Sequence, residues 1–231
     1  MTTMFRLFLS SICLLASSGA TPGSQDPPVP DQGISLAELA SRADVVVLAQ
    51  ARDTDYVYRR EFPVEGSAFL RVLIAYKADR PLDIIEVYEQ GLHAHECYFP
   101  NPTVFAEGRR YLLFLQQDKN QPERYRGLIQ GCALDVLVDR NNRYVLRLPL
   151  TGINLRDPLP ELGKKFEFAD AYAFENDASL PPQERDALLA AGWIEPRGDR
   201  YIYTRGVELS TVRKLMGANM TPADDQKQKI D

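Results

Sequence analysis

The sequence predicts a mainly β protein, α+β overall, in which one helix precedes a small barrel and a small α+β region follows it. Between Val45 and Leu148 the chain contains six runs rich in β-branched and aromatic residues, flanked by turn-forming residues. Three of these runs are almost continuously apolar, which is typical of strands in a small closed barrel. Apolar residues make up 45% of the 231 residues, which is enough to form a core.

The first predicted element is a short helix that follows Ser35. Ser35 and Glu38 have capping-box spacing, in which each side chain accepts a hydrogen bond from the backbone N–H of the other residue. Apolar residues then follow at helical intervals: Leu36, Leu39 and Ala40. We expect this helix to end near Arg42.

Six strands are predicted in chain order: residues 45–49, 69–75, 84–88, 111–115, 128–138 and 144–148. Alternation along the fifth strand places a set of apolar residues on one face: Leu128, Cys132, Leu134, Val136 and Val138. Cys132 should therefore point into the core. Gly127 and Gly131 are expected to form bulges that let the strand bend. Asn141-Asn142 favours a tight hairpin because Asn tolerates positive φ.

Beyond residue 150 the composition changes. Pro149, Pro158 and Pro160 mark the start of a small α+β region over residues 151–220. In this region Pro181-Pro182 should open a helix that ends at Gly192, and residues 193–203 should form a hairpin. The turn of that hairpin is expected at Arg197-Gly-Asp199. A last helix is predicted from apolar residues on one face: Leu209, Val212, Leu215 and Met216. Residues 221–231 are expected to be a loose tail.

The amino terminus is expected to direct export. Residues 1–20 contain Arg6, an apolar run over residues 7–16 and small residues ending at Ala20, the pattern of a secretory signal peptide. The apolar run spans about ten residues, whereas a membrane span needs roughly twenty. Residues 21–33 are rich in proline and should form a linker. We therefore expect a periplasmic or extracellular protein without a transmembrane segment after signal cleavage.

Two cysteines, Cys97 and Cys132, remain once Cys13 is removed with the signal. An oxidising compartment favours a disulfide bond between them. In the chain-entropy account, closing this loop stabilises the fold by roughly 3–4 kcal/mol. Two buried free thiols are the alternative.

Charge argues against two classes of partner. The chain has 27 Lys+Arg and 32 Asp+Glu, which gives a formal net charge of −5. Nucleic-acid binders depend on basic side chains that neutralise phosphates, so a nucleic-acid partner is not expected. An anionic membrane surface is an equally poor match.

Several short segments, taken in order, resemble those of a known family: Ser35-Leu-Ala-Glu-Leu39, Ala43-Asp-Val-Val-Val47, Tyr76-Lys77, Glu107-Gly108 with the following residues to Leu115, and residues 125–131. Their order and spacing resemble exported bacterial proteins with a netrin-like, or tissue-inhibitor-of-metalloproteinases-like, domain. The resemblance implies a five-stranded OB-type barrel over residues 34–150. Ala78 departs from the pattern, which has glycine after Lys77. Animal inhibitors of this type chelate zinc through a free N-terminal cysteine, and Thr21 would not reproduce that, so protease inhibition is not implied.

The most concentrated polar segment contains His93, His95 and Cys97. In an extended strand these three side chains share a face and could bind Zn or Cu. A disulfide at Cys97 would remove the thiolate and leave two histidines, with Glu89 or Glu96 as further ligands. Closed zinc sites need four ligands. A metal site at His93 and His95 therefore stays an alternative, and no cofactor is expected.

Recognised catalytic motifs do not occur in the sequence. Phe99 stands where a zinc-protease motif beginning at His95 would have its second histidine, and neither a Gly-x-Ser-x-Gly elbow nor a P-loop is found. Aromatic side chains could instead form a binding surface on the barrel wall: Tyr56, Tyr58, Tyr88, Tyr98 and Phe99. The same side chains could equally fill the barrel.

The leading hypothesis is a non-enzymatic exported module that binds a protein or another envelope component. The alternatives are a periplasmic metal-binding or metal-dependent protein and a purely structural envelope protein.

Overall fold

The structure, a computed structural model, describes residues 33–60, 62–89, 105–128, 131–150 and 153–217. The helices within them are α1 (Leu36–Arg42), α2 (Leu159–Leu162), α3 (Pro182–Ala190) and α4 (Leu209–Met216). The strands are β1 (Val45–Arg59), β2 (Phe62–Lys77), β3 (Ile84–Glu89), β4 (Arg110–Gln117), β5 (Arg124–Gly127), β6 (Ala133–Val138), β7 (Tyr144–Arg147), β8 (Lys164–Lys165), β9 (Phe174–Asn176), β10 (Ile194–Arg197), β11 (Arg200–Tyr203) and β12 (Arg205–Glu208). The predicted signal peptide, almost all of the predicted linker and the predicted tail lie outside the described residues.

Five strands close into a barrel in the order β1-β2-β3-β5-β4, and β4 pairs back onto β1. Strands β3 and β5 run parallel, whereas the other neighbouring pairs of the barrel are antiparallel. This order and these directions are those of an OB-type barrel. The prediction of a mainly β fold with an OB-type barrel and an N-terminal helix is confirmed.

The first half of β1, residues 45–51, and most of β4 bury side chains on both faces, which explains why these segments are almost continuously apolar in sequence. Val45, Val47 and Ala49 of β1 point into the barrel, together with Leu113 and Leu115 of β4. The alternate residues of the same two strands pack on the outside against α1 and α4: Val46, Leu48, Leu112 and Phe114. The barrel wall is therefore the shared boundary of two cores.

The predicted strand over residues 128–138 is wrong in one respect. The chain instead forms β5 and then β6, which pair with different parts of β4. Cys132 packs into the barrel interior, but Leu134 and Val136 pack on the helix side, so they do not share a face with Cys132. The physical reason is that β6 begins only at Ala133, so Cys132 precedes the strand and does not follow its alternation.

The C-terminal region extends the sheet of the barrel. From β4 the sheet continues through β6, β7 and β12 to β8, and the described residues belong to one compact unit. The predicted helix after Pro181, the hairpin formed by β10 and β11 and the last helix are all present. Asn142 has a φ of 58°, as predicted for the hairpin before β7. The domain bounds at residues 150 and 220 stay predictions.

Helix α1 is capped at both ends. At its N-terminus both bonds of the capping box between Ser35 and Glu38 are present, and Asp157 accepts a bond from the N–H of Leu36 at 2.7 Å. At its C-terminus the Lys77 ammonium group donates to the carbonyl oxygens of Ala40, Ser41 and Ala43. A cation at this end also opposes the negative end of the helix dipole. Lys77 therefore joins the end of β2 to the end of α1.

Gly108 allows a close approach between the barrel and the C-terminal region. It has a φ of 80°, and its carbonyl accepts a bond from the Gln50 amide at 2.9 Å. The Tyr172 hydroxyl donates to the Glu107 carbonyl at 2.7 Å and occupies the place where a Cβ on Gly108 would lie. A side chain at this position would displace Tyr172.

We expect Gly108→Ala to lower the free energy of unfolding more than Gly198→Ala does. Gly198 also has a positive φ, of 67°, but open space surrounds its missing Cβ. Gly198→Ala therefore tests backbone strain alone, about 1 kcal/mol. Displacement of the Tyr172 hydroxyl, with loss of its hydrogen bond to the Glu107 carbonyl, should add about 1 kcal/mol at Gly108. Urea denaturation of the two variants measures the difference, and equal losses would contradict the close-approach role.

Candidate binding face of the barrel

The candidate site is the outer side of β2, β3 and β5. Alternation along these strands turns one set of side chains into the barrel and the other set outwards. The inward set is Ala68, Leu70, Ile85, Val87 and Tyr125. The outward set, called here the outer barrel face, consists of Phe69, Arg71, Ile84, Glu86, Tyr88, Arg124 and Arg126. Cross-strand pairing places Phe69 opposite Glu86 and Arg71 opposite Ile84.

At the centre of this face Tyr88 lies beside two arginines. The guanidinium carbon of Arg124 is 3.9 Å from the centroid of the Tyr88 ring, and that of Arg126 is 4.9 Å from it. Both distances are within the range of a cation–π interaction. The Tyr88 hydroxyl donates to Glu65 at 3.3 Å. The two guanidinium groups therefore stack on the Tyr88 ring, and the bond to Glu65 fixes its hydroxyl.

Asp118 fixes the two arginines from the loop between β4 and β5. Its carboxylate accepts bonds from Arg124 at 2.9 and 2.7 Å and from Nε of Arg126 at 3.0 Å, and only 2% of its side chain is exposed. The backbone N–H of Asn120 donates to the same carboxylate at 2.9 Å. That bond, together with the two guanidinium groups, holds the pKa of Asp118 well below its usual range although burial acts in the opposite direction.

One end of the outer barrel face is apolar and open. The Ile84 side chain is 62% exposed, next to the exposed Arg71 on β2. Phe69 is half-buried beside Ser67, whose hydroxyl donates to Glu86 at 2.5 Å. The face therefore combines a protruding aliphatic side chain with aromatic and guanidinium groups whose positions are already set.

Of the aromatic residues predicted to bind a partner, Tyr88 lies on this face, whereas Tyr56 and Tyr58 do not. Tyr56 packs against the barrel interior, where its hydroxyl donates to Glu89 at 2.5 Å and accepts a bond from the N–H of Phe105 at 3.4 Å. Burial, and then the Glu89 carboxylate, raise the pKa of Tyr56. Tyr58 is 54% exposed, farther along β1. Whether either tyrosine binds a partner stays a prediction.

The other predicted site residues lie outside the described residues: Tyr98, Phe99, His93, His95 and Cys97. The metal site at His93 and His95 therefore stays a prediction. In the described part of the chain no group of three or more His, Cys, Asp or Glu side chains could hold a metal ion. None of the described helices has the length and apolar character required to cross a membrane.

Sequence reasoning did not single out the arginines of the outer barrel face, although a signal for them exists. Arg124-Tyr-Arg126 alternates, so that a buried Tyr125 sets both arginines on the opposite face of the strand. Their contact with Tyr88 depends on the parallel pairing of β3 with β5, which spacing along the chain does not reveal.

We expect Asp118→Asn to change the pH dependence of stability. Because the folded pKa is depressed, ionised Asp118 contributes stability above the pKa of an unfolded aspartate, about 4, and this contribution is lost as the pH falls through the folded pKa. The variant should be less stable at pH 7, and its free energy of unfolding should fall less between about pH 4 and pH 2.

Urea denaturation at several pH values measures this dependence. Asp199→Asn is the matched control, since the Asp199 side chain is 96% exposed. Parallel pH profiles of Asp118→Asn and the unsubstituted protein would contradict the role of Asp118.

Comparison with protein-family models finds no match to this chain, and comparisons with curated proteins and with solved structures find none either.

Proposed function

We propose that the protein is an exported, non-catalytic binding module that presents the outer barrel face to a protein or another component of the cell envelope. The observation that carries this proposal is the fixed group formed by Tyr88, Arg124 and Arg126, on the same face as the exposed Ile84 at the other end of β3. Its position supports the proposal because OB-type barrels bind ligands on the side formed by the second and third strands and through adjoining loops.

The residue types on this face also favour binding. Tyrosine and arginine are enriched among the residues that contribute most to interfaces. Asp118 and the stacking on Tyr88 hold Arg124 and Arg126 in place before any partner arrives, so less side-chain entropy is lost on association. A well-matched partner would offer an apolar pocket for Ile84 and carboxylates near Arg71.

Ile84→Asp should abolish partner capture. The charged side chain would have to be desolvated in the apolar pocket that Ile84 fills, so we expect at least about tenfold weaker retention. The measurement uses the immobilised mature protein, an extract of periplasm and membranes from the source organism, and quantitative mass spectrometry of the retained components.

Leu162→Asp is the matched control for this experiment. It introduces the same charge at an apolar side chain that is 37% exposed, but in α2. Components retained by the unsubstituted protein and by Leu162→Asp, but lost with Ile84→Asp, support the proposal. If no retained component depends on Ile84, the outer barrel face is not the binding site, and the structural-protein hypothesis is favoured.

We also propose that the exported chain contains a disulfide bond between Cys97 and Cys132. Two considerations support this pairing. Cys132 is buried in the barrel interior, and the expected export would place both thiols in an oxidising compartment. Of the other cysteines, Cys13 belongs to the expected signal peptide, which leaves Cys97 as the partner.

Protein purified from the periplasm without reductant should yield a peptide pair that contains Cys97 and Cys132 joined by a disulfide. Reduction should separate the pair and lower the free energy of unfolding by about 3 kcal/mol in the chain-entropy account. Peptide mapping by mass spectrometry after alkylation provides the readout. Free thiols at both positions, or a protein retained in the cytosol, would contradict the export proposal.

A further inference from the structure

The hairpin of β1 and β2 extends beyond the barrel. Strand β4 pairs with residues 45–50 of β1, and β3 pairs with residues 66–71 of β2. Past those points β1 and β2 continue to pair with each other up to Arg59 and Phe62. Residues 53–65 are called here the β-arm. Among the described residues, no third strand pairs with the β-arm.

The β1 strand of the β-arm is an exposed edge. Val57 is 51% exposed and Tyr58 is 54% exposed, while Asp53, Asp55 and Arg59 are exposed as well. Edge strands leave backbone N–H and C=O groups available to another strand, and isolated two-stranded ribbons are only marginally stable in water. A further strand on this edge would satisfy the backbone groups and cover the apolar side chains.

When two copies of this edge run antiparallel, the residues of one copy are complementary to those of the other. Reading from Asp55 to Arg59, the order is acid, aromatic, Val57, aromatic, base. Antiparallel pairing of two copies centred on Val57 brings matching residues together: Val57 with Val57, Tyr56 with Tyr58, and Asp55 with Arg59. Pairs of aromatic residues and pairs of opposite charge are the cross-strand pairs that stabilise antiparallel sheets.

We propose that two copies of the chain form a symmetric dimer by antiparallel pairing of their β-arms along β1. A two-fold axis through the two Val57 residues makes the interface isologous, so that the charge pair between Asp55 and Arg59 occurs twice. Charge complementarity selects this arrangement, because parallel pairing in register would set Asp55 against Asp55 and Arg59 against Arg59. The barrels lie at the outer ends of the continuous ribbon.

This inference goes beyond the proposed function and involves different residues. The residues of the β1 edge do not belong to the outer barrel face. The tests of dimer formation and of partner capture can therefore fail separately. A dimer would carry two copies of the outer barrel face. After one copy binds a partner that has repeated sites, the other copy is held at high effective concentration near the next site, which increases avidity.

The test combines sedimentation equilibrium with charge exchange. The unsubstituted mature protein should associate reversibly to a dimer, more weakly at high salt. Asp55→Arg alone and Arg59→Asp alone should each weaken self-association at least about tenfold, because each variant sets two like-charge pairs across the axis. Mixing the two variants, or combining both substitutions in one chain, should restore the dimer. Asp199→Arg, at the tip of another hairpin, should leave association unchanged.

A second variant tests the register. Val57→Cys should form a disulfide-linked dimer with oxidised glutathione, because the two substituted residues face each other across the axis. Asp186→Cys, exposed on α3, should remain a monomer under the same conditions. A protein that stays monomeric at every concentration, single charge variants that associate like the unsubstituted protein, or a Val57→Cys variant that links no faster than Asp186→Cys would each overturn the proposal.

Discussion

The fold depends on the pairing of β1 with β4, which closes the barrel. Through this pairing the two strands acquire a core on each side: the barrel interior and the layer under α1 and α4. A closed barrel has no free edges at this seam, and helices cover its outer surface there. The opposite wall is formed by residues 66–71 of β2 together with β3 and β5, and it carries no such helical cover in the described part of the chain. The proposed binding surface lies on this wall.

Individual polar contacts join the barrel to α1 and to the C-terminal region. Lys77 joins β2 to the end of α1, and Tyr172 reaches over Gly108 to join the C-terminal region to the barrel. Lys77 caps a helix, and Gly108 permits a close approach between the barrel and the C-terminal region. The contacts of both residues therefore stabilise the fold.

The outer barrel face and the β-arm represent two ways of using an uncovered β surface. On the face, Asp118 and Tyr88 hold arginines in fixed positions, which suits recognition through side chains. On the arm, the pattern along β1 suits recognition through backbone pairing. The acidic residues of the arm are also a defence against indiscriminate edge pairing, because they disfavour a strand that does not supply bases at the matching positions. Both surfaces lie on β-strands, which position side chains more rigidly than loops do.

By itself the sequence determined the features that depend on local physics. The capping box at Ser35, the apolar runs of β1 and β4 and the positive φ at Asn142 are all readable from neighbouring residues. The expectation that Cys132 points into the core was correct, but the expectation that it shares a face with Leu134 was wrong, because Cys132 precedes β6 and does not follow its alternation. The contact of Tyr88 with Arg124 and the edge of the β-arm, which pairs with no third strand among the described residues, were decided by the tertiary structure. They depend on which strands become neighbours, and that choice is made by closure of the barrel rather than by any local preference of the chain.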